Sequence, residues 1–166
     1  MAKVAKKKAE RSPSSSSRQQ AAKEFDSATL EMLEDVEEIR IATAAPGAKT
    51  KKHHATIWVV DVDGQVFVRS FTGPKGKWYH NVLANPEADL EVDGKTIHVK
   101  AIPVSDQESI EAVSRAYLEK YRSSPYAKDM VRTEVLPTTL RLEPRNMERR
   151  PCQPYAQPSS RRRLRR

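Results

Sequence analysis

The sequence predicts a mainly β domain, a small antiparallel barrel of six strands with helices at its periphery. Six short runs rich in β-branched and aromatic residues are separated by turn signals, and two of the turns are Asp63-Gly64 and Asp93-Gly94. Such pairs favour two-residue hairpins, because glycine accepts the positive φ that these turns require. Strict alternation of strands and helices is missing, as is a Gly-x-Gly-x-x-Gly loop. Both absences argue against a doubly wound nucleotide-binding sheet.

Charge divides the chain into three segments. Residues 1–23 hold seven basic residues and one acidic residue, and residues 146–166 hold the same numbers, so each segment carries a net +6. The whole chain carries +8, which leaves −4 on residues 24–145. The outer segments are rich in Lys and Ser, or in Pro, Gln and Arg, and such compositions cannot bury enough apolar surface to become ordered. We expect two disordered basic tails around one domain at 24–145.

The cysteine content and the hydropathy pattern bear on the compartment. Cys152 is the only cysteine, so no internal disulfide forms, which fits a reducing compartment. The longest strongly apolar run, at 57–60, is far shorter than the roughly 20 residues that span a bilayer. The charged N-terminus is not followed by the apolar region of a secretory signal. We expect a cytoplasmic protein without a membrane partner.

The elements up to the second hairpin follow from local signals. Asp26 or Ser27 is suited to cap a helix, because leucines then recur at helical spacing. Asn85-Pro86 ends a second helix, since the residue before proline avoids the α region. The expected order is a helix at 28–35, a strand at 38–42, a loop at 43–55, strands at 56–62 and 65–71, a helix at 77–84, and strands at 88–92 and 95–104.

The last third of the chain predicts a long helix and one more strand. Asp106 is suited to cap a helix that runs to about residue 122. Its buried stripe consists of Ile110, Val113, Tyr117 and Tyr121. A short helical piece at 126–131 and a strand at 138–142 complete the prediction.

Two basic segments contain the parts of an anion site. Residues 47–56 combine a glycine with lysines and hydroxyls, and successive backbone N–H groups of such a loop form anion-binding concavities. A solvated basic loop is the alternative. His53 and His54 point in opposite directions if they precede a strand, and no third ligand is spaced to join them, so we expect no metal site.

The second basic segment leads into the aromatic helix at 77–84. Arg69, Lys75 and Lys77 converge near the start of this helix, whose free amides favour an anion. The alternative for Arg69 is an ion pair with a surface carboxylate. Trp78 and Tyr79 are suited to stack on a planar ring, and the Asn81 amide both donates and accepts. The alternative is that Trp78 packs in the core. No catalytic nucleophile emerges from the sequence.

Residues 47–56 and 78–86 resemble the deazaflavin-dependent nitroreductase family of the FMN-binding split-barrel superfamily. The family motif is Gly-x-Lys-Ser-Gly-x-x-Arg-x-Thr, followed later by Trp-Tyr-x-Asn-Leu-x-Ala-Asn-Pro. Lys51 and His54 stand where the family has glycine and arginine, and no proline follows Thr56. Further stretches, at 57–79, 116–126 and 139–142, resemble an uncharacterised bacterial family, a domain of unknown function with the same split barrel. The resemblances cover roughly residues 37–144.

The resemblance implies a six-stranded antiparallel split β-barrel that binds a deazaflavin coenzyme or FMN, with the deazaflavin favoured by the cationic loops. It implies a homodimer with the cofactor between subunits, and hydride transfer to a small organic acceptor. The implied cofactor-binding residues are Lys49, Thr50, Lys52, His54, Thr56, Arg69, Ser70, Lys75, Lys77, Trp78, Tyr79 and Asn81. The alternative function is a non-catalytic split-barrel protein whose basic tails hold nucleic acid or another polyanion.

Overall fold

The computed structural model describes residues 24–51 and 53–145, where one antiparallel sheet of seven strands is accompanied by three α-helices. The strands are β1 (Ile39–Thr43), β2 (His53–Ile57), β3 (Val59–Val62), β4 (Gln65–Val68), β5 (Glu87–Val92), β6 (Lys95–Pro103) and β7 (Leu140–Pro144). The helices are α1 (Ser27–Asp35), α2 (Lys77–Ala84) and α3 (Gln107–Lys120), and short 3₁₀ turns lie at Gly73–Lys75, Ala127–Val131 and Leu136–Thr138. None of these helices is long and apolar enough to cross a membrane. The expected basic tails and Lys52 lie outside the described residues.

Both hairpins have the turns that the sequence predicts. Asp63 and Gly64 join β3 to β4 with φ angles of 53° and 77°. Asp93 and Gly94 join β5 to β6 with φ angles of 47° and 74°. Positive φ at both central residues gives a turn whose twist matches that of the strands. The turns therefore set the register of the two hairpins.

The sheet curls because its two edges belong to one stretch of chain. The strand order is β2-β1-β5-β6-β7-β4-β3, so β2 and β3 lie at opposite edges, yet only Trp58 separates them in sequence. The Cα atoms of Ile57 and Val59 can be no more than about 7 Å apart, so the edges meet at this point. The predicted barrel with peripheral helices is confirmed, but its strand count was one short because the sequence predicted a single strand over 56–62.

Side chains on either side of the break at Trp58 pack into two different apolar layers. Val59 is buried in the barrel interior together with Ile57. Val60 is also buried, but it belongs to a second apolar cluster against α3. Trp58, between Ile57 and Val59 in the sequence, packs against this second cluster. Its ring stacks on Tyr121 with centroids 4.1 Å apart and planes inclined by 7°. The residue thus marks the rim where the two edges of the sheet meet.

Helix α3 covers the outer side of β3 and β4. Of its predicted stripe, Val113, Tyr117 and Tyr121 are buried and Ile110 is partly buried. The helix begins after Asp106, whose Oδ2 accepts a hydrogen bond from the backbone N–H of Ser109 at 2.9 Å. The predicted cap is therefore confirmed, and α3 forms the outer wall of the second cluster.

Several predicted element boundaries were wrong. The loop predicted over 43–55 ends earlier, because His53 pairs with Thr43 and His54 with Ala42 across β1 and β2. The last strand begins at Leu140 rather than at Thr138, since the Thr138 hydroxyl donates to the carbonyl of Val135 at 2.6 Å and closes a 3₁₀ turn. The strand predicted over 65–71 ends at Val68, so Arg69 and Phe71 belong to the segment after β4, which lines the cavity described next.

Candidate functional site

A cavity of about 500 Å³ opens at the rim where β2 meets β3. Its walls come from the β2–β3 junction, the segment between β4 and the first turn of α2, and the chain after α3. Four lining residues are aromatic, namely Trp58, Phe71, Trp78 and Tyr126. The others are Glu38, Thr56, Ile57, Arg69, Thr72, Gly76, Lys77 and Met130. Flat apolar surfaces and a few polar groups therefore converge on one space.

The aromatic side chains are held in defined orientations. Trp58 is fixed by its stack on Tyr121 and by a hydrogen bond of 3.3 Å from its Nε1 to Oε1 of Glu38. Phe71 and Tyr126 meet edge to face, with centroids 6.2 Å apart. These two rings are 45% and 57% exposed, so they form the open side of the cavity. Trp78 is buried, which agrees with the alternative that it packs in the core, yet it also lines the cavity.

Arg69 follows β4 and is almost completely buried, with 1% of its surface exposed. Its Nε donates to Oγ1 of Thr139 at 2.8 Å, and its Nη2 donates to the carbonyl of Ile110 at 2.7 Å. Its Nη1 donates to Oγ of Ser114 at 3.0 Å and to the carbonyl of Met130 at 2.9 Å. The guanidinium therefore ties the end of β4 to α3, to the 3₁₀ turn after it and to the start of β7.

All of these partners of Arg69 are neutral. The ion pairs among the described residues do not include Arg69, so the alternative of a surface carboxylate partner was wrong. Burial lowers the pKa of Arg69, while its position 5.5 Å from the centroid of the Tyr117 ring works in the opposite direction. Because a guanidinium loses its proton only far above neutral pH, Arg69 stays charged. A buried positive charge thus lies in the cavity wall without an anionic partner from the described chain.

The first turn of α2 approaches the end of β4 unusually closely. Gly76 caps the helix without a side-chain hydrogen bond. A Cβ atom at Gly76 would lie 2.2 Å from Oγ of Ser70, so only glycine fits without displacement. The Ser70 hydroxyl lies 3.3 Å from that of Thr72. In the described part of the chain, the backbone N–H groups of Lys77 and Trp78 have no hydrogen-bond acceptor, and they lie at the positive end of the helix dipole.

The structure divides the predicted site residues around α2 into two groups. Arg69, Lys77 and Trp78 line the cavity together with Thr56. Tyr79 and Asn81 instead anchor α2 from behind: the Tyr79 hydroxyl donates to the carbonyl of Pro137 at 3.4 Å, and the Asn81 Nδ2 donates to Oγ1 of Thr43 at 2.9 Å. Ser70 is buried beneath the first turn of α2, and Lys75 is exposed in the preceding 3₁₀ turn.

Among its described residues, the other predicted anion-binding segment lines the cavity only through its last residue, Thr56. Lys49 and Thr50 are exposed, and His54 lies 3.4 Å from Oε1 of Glu91. Lys51 donates to Oδ1 of Asp89 at 2.6 Å.

The Asp89 carboxylate of β5 therefore neutralises part of the cationic loop. Oδ1 of Asp89 also lies 2.6 Å from Nδ1 of His98, the residue directly opposite on β6. Burial acts to raise the pKa of Asp89, but the hydrogen bonds from Lys51 and His98 outweigh it and leave that pKa below its ordinary value. Within residues 24–51 and 53–145, no group of three or more His, Cys, Asp or Glu side chains is placed to hold a metal ion.

Several cavity residues were not predicted from the sequence as site residues. Trp58 and Phe71 were assigned to strands, and Tyr126 to a short helical piece. The signal that points to Phe71 is its position between Arg69-Ser70 and Gly73, where a strand pattern ends in a glycine turn. Tyr126 follows Ser124-Pro125, which likewise ends a helical pattern. Glu38 and Met130 carry no sequence signal for this site, because only the closure of the barrel brings them to it.

Residues 29–142 match the family described as "Uncharacterized protein conserved in bacteria (DUF2255)". The chain belongs to the DUF2255 family. This bears out the resemblance to a bacterial domain of unknown function. The matched segment includes all the residues that line the cavity, so the cavity lies entirely within the DUF2255 domain. No curated protein matches the chain.

Solved structures show which fold the DUF2255 domain shares. An F420-H2 dependent reductase (FDR-A) is 22% identical with a TM-score of 0.51, over 64% of this chain and 94% of that one. A structure described as a domain-swapped dimer is 19% identical with a TM-score of 0.50, over 66% and 81%. HutZ, the heme storage protein from Vibrio cholerae, is 14% identical with a TM-score of 0.51, over 72% and 89%. At these identities the likeness shows the fold, which is the expected split β-barrel.

Proposed function

We propose that the cavity binds a flavin-type cofactor, FMN or the deazaflavin coenzyme, and that the protein is an oxidoreductase that passes a hydride to a small organic acceptor. The observation that carries this proposal is the cavity of about 500 Å³, which is lined by four aromatic residues and by Arg69, whose charged side chain is buried. Flat apolar walls suit a planar ring system, and an unpaired positive charge suits an anionic group attached to it.

The residues present fit such a ligand in size and chemistry. The cavity volume lies within the range of roughly 300–1,000 Å³ that is typical of small-molecule and cofactor sites. Trp58 and Trp78 are fixed by packing, so the surfaces that they present are arranged before any ligand binds. Pre-arranged walls reduce the entropy lost on binding.

The chain's own residues supply position and exclusion of water rather than a covalent nucleophile. A bound flavin or deazaflavin supplies the hydride chemistry itself. Trp58, held by Tyr121 and Glu38, orients a planar ligand at the barrel rim. Phe71 and Tyr126 lie at the open side of the cavity, where they limit the access of water.

Different observations support each of the two cofactors. The similar fold of an F420-H2 dependent reductase supports the deazaflavin coenzyme, as do the lysines of residues 47–56. The pairing of Lys51 with Asp89 supports FMN, because part of that positive charge is already neutralised. Both ligands therefore belong in the test.

The test is titration of the purified protein with FMN and with the deazaflavin, followed by the fluorescence of the ring. An absorption spectrum of protein from its native host checks for a chromophore already bound. We expect binding at micromolar concentration, and we expect Phe71→Ala to weaken it about two- to tenfold. Leu83→Ala is the matched control, because Leu83 is 49% exposed on α2 and does not line the cavity. Absence of binding by either cofactor at micromolar concentration contradicts the proposal.

We further propose that the protein is a homodimer. The structure described as a domain-swapped dimer supports this by its similar fold, and so do the exposed rings of Phe71 and Tyr126 at the cavity. Light scattering of the purified protein tests the proposal, and a monomer across the micromolar range contradicts it.

A second candidate function is favoured by the distribution of charge. Two segments of +6 flank a domain segment of −4, which supports a non-catalytic split-barrel protein that holds nucleic acid or another polyanion. HutZ, described as a heme storage protein, has a similar fold and supports a role in binding. Removing residues 1–23 and 146–166 separates the candidates, since polyanion binding then vanishes while cofactor binding remains.

A further inference from the structure

We infer that the ligand of the cavity carries an anionic group, a phosphate monoester or a carboxylate, and that Arg69 and the first turn of α2 hold this group. The Gly47–Thr56 loop, which the nitroreductase resemblance assigns to phosphate, does not hold it. The inference rests on the proposed function in so far as a flavin is the ligand. It adds which groups of the cavity bind the anionic part of that ligand.

The first argument is the charge of Arg69. A buried guanidinium with only neutral partners has lost its hydration without gaining a counter-charge, which is costly unless an anion compensates for it. Four of its five N–H groups donate to Thr139, Ile110, Ser114 and Met130. The fifth has no acceptor among the described residues, and Arg69 lines the cavity. An anion in the cavity supplies both the missing acceptor and the missing charge.

The second argument is the start of α2, which belongs to the same wall. Gly76, Lys77 and Thr72 line the cavity with Arg69. The helix has no side-chain cap, and its first amides have no acceptor in the described chain. Amides at a helix N-terminus favour negative charge. The only acidic residue among the lining residues, Glu38, accepts a hydrogen bond from Trp58 and comes from the segment before β1.

The third argument is the state of the loop at residues 47–56. Lys51 and His54 are next to Asp89 and Glu91, the latter two exposing only 19% and 34% of their side chains. A phosphate placed on this loop would stand beside two carboxylates, and it would have to displace Asp89 from Lys51. The described part of the loop is therefore a poorer anion site than Arg69, which has no carboxylate to displace among the described residues.

The test compares FMN with riboflavin, which has the same ring and lacks the phosphate. We expect wild-type protein to bind FMN about 10- to 100-fold more tightly than riboflavin, the effect of a charge-assisted hydrogen bond. Arg69→Gln abolishes this preference, and the double variant Lys51→Ala/His54→Ala retains it. Equal binding of FMN and riboflavin by wild type overturns the anchor but leaves the cofactor proposal standing. The anchor is also wrong if Arg69→Gln keeps the preference for FMN and the double variant loses it.

A second experiment without a flavin keeps the inference testable if neither flavin binds or if Arg69→Gln fails to fold. Phenyl phosphate carries a phosphate monoester on a small planar group. We expect it to raise the melting temperature of wild type at millimolar concentration, and phenol at the same concentration not to. Arg69→Lys, which keeps a charge but not the geometry of the guanidinium, reduces that rise. If phenyl phosphate and phenol have the same effect on wild type, the anion anchor is wrong whatever the cofactor result.

Discussion

At the residue scale, the closest approach in the candidate site is at Gly76. A Cβ atom there would lie 2.2 Å from Oγ of Ser70 and 3.1 Å from Oγ1 of Thr72. Ser70 has little freedom to move, because it is buried and its backbone N–H donates to Oγ1 of Thr138 at 3.1 Å. The absence of a side chain at Gly76 therefore lets the start of α2 lie against the end of β4, where Arg69 enters the core.

We expect Gly76→Ala to lower the free energy of unfolding by about 1–3 kcal/mol, the usual cost of overpacking a filled site. Denaturant unfolding followed by circular dichroism measures it. In a Ser70→Ala background the clash with the hydroxyl is absent, so the same substitution costs less there. An equal cost of Gly76→Ala in both backgrounds excludes contact with Ser70 as its cause.

Residues also show where prediction from sequence stops. Asp63-Gly64 and Asp93-Gly94 were predicted because a two-residue turn depends only on its own backbone. The burial of Arg69 was not predicted, because its hydrogen-bond partners lie 41 to 70 positions away in the sequence. A basic residue after a strand gives the same sequence pattern whether its side chain is exposed to solvent or buried in the core.

At the scale of elements, the loop before β2 is attached to β5 and β6 by one carboxylate. Asp89 on β5 accepts from Lys51 of the loop and lies within hydrogen-bond distance of His98 on β6. The pKa of Asp89 lies below its ordinary value despite burial, which acts to raise it. In the unfolded chain an aspartate titrates near pH ~4. The stabilisation is therefore fully present above that pH and is lost as the pH falls through the lower pKa of the folded state.

We expect Asp89→Asn to lower the free energy of unfolding at neutral pH by about 1–3 kcal/mol, the usual worth of a hydrogen bond to a charged group. The difference from wild type shrinks as the pH falls below ~4. Urea unfolding across this pH range measures it. Asp93→Asn is the control, since Asp93 is exposed in the β5–β6 turn and asparagine accepts its positive φ. A penalty for Asp89→Asn that stays constant down to the lowest pH contradicts the assignment.

Secondary-structure elements differ in how strongly their bounds depend on tertiary contacts. The bounds of α2 were predicted because the Asn85-Pro86 stop and the helical spacing are local. The single strand predicted over residues 56–62 was wrong because the break at Trp58 arises from closure of the sheet, which brings β2 and β3 from opposite edges to one point. Thr56, Arg69, Lys77 and Trp78 are the predicted site residues that line the cavity, and the rest of its lining was not predicted, because the cavity exists only where those edges meet.

At the scale of the whole molecule, the charges of the outer segments and of the domain segment have opposite signs. Residues 1–23 and 146–166 each carry +6, and residues 24–145 carry −4. A basic pI therefore does not imply a basic domain surface, and the cation in the cavity wall is a local feature. Long-range attraction of a polyanion belongs to the outer segments, because the domain segment repels it.

We expect the full chain to bind duplex DNA without sequence preference and to lose about 10³-fold or more in affinity between roughly 50 and 200 mM salt, as proteins with six to ten phosphate contacts do. Fluorescence anisotropy with a labelled duplex measures the slope. Replacing the five arginines of residues 161–166 by glutamine makes the slope shallower, because fewer counterions are released. The same variant leaves binding of a flavin unchanged, since the cavity is built from residues 38–130. A full chain that fails to bind DNA even at low salt rules out the polyanion role and leaves the cavity as the functional part of the molecule.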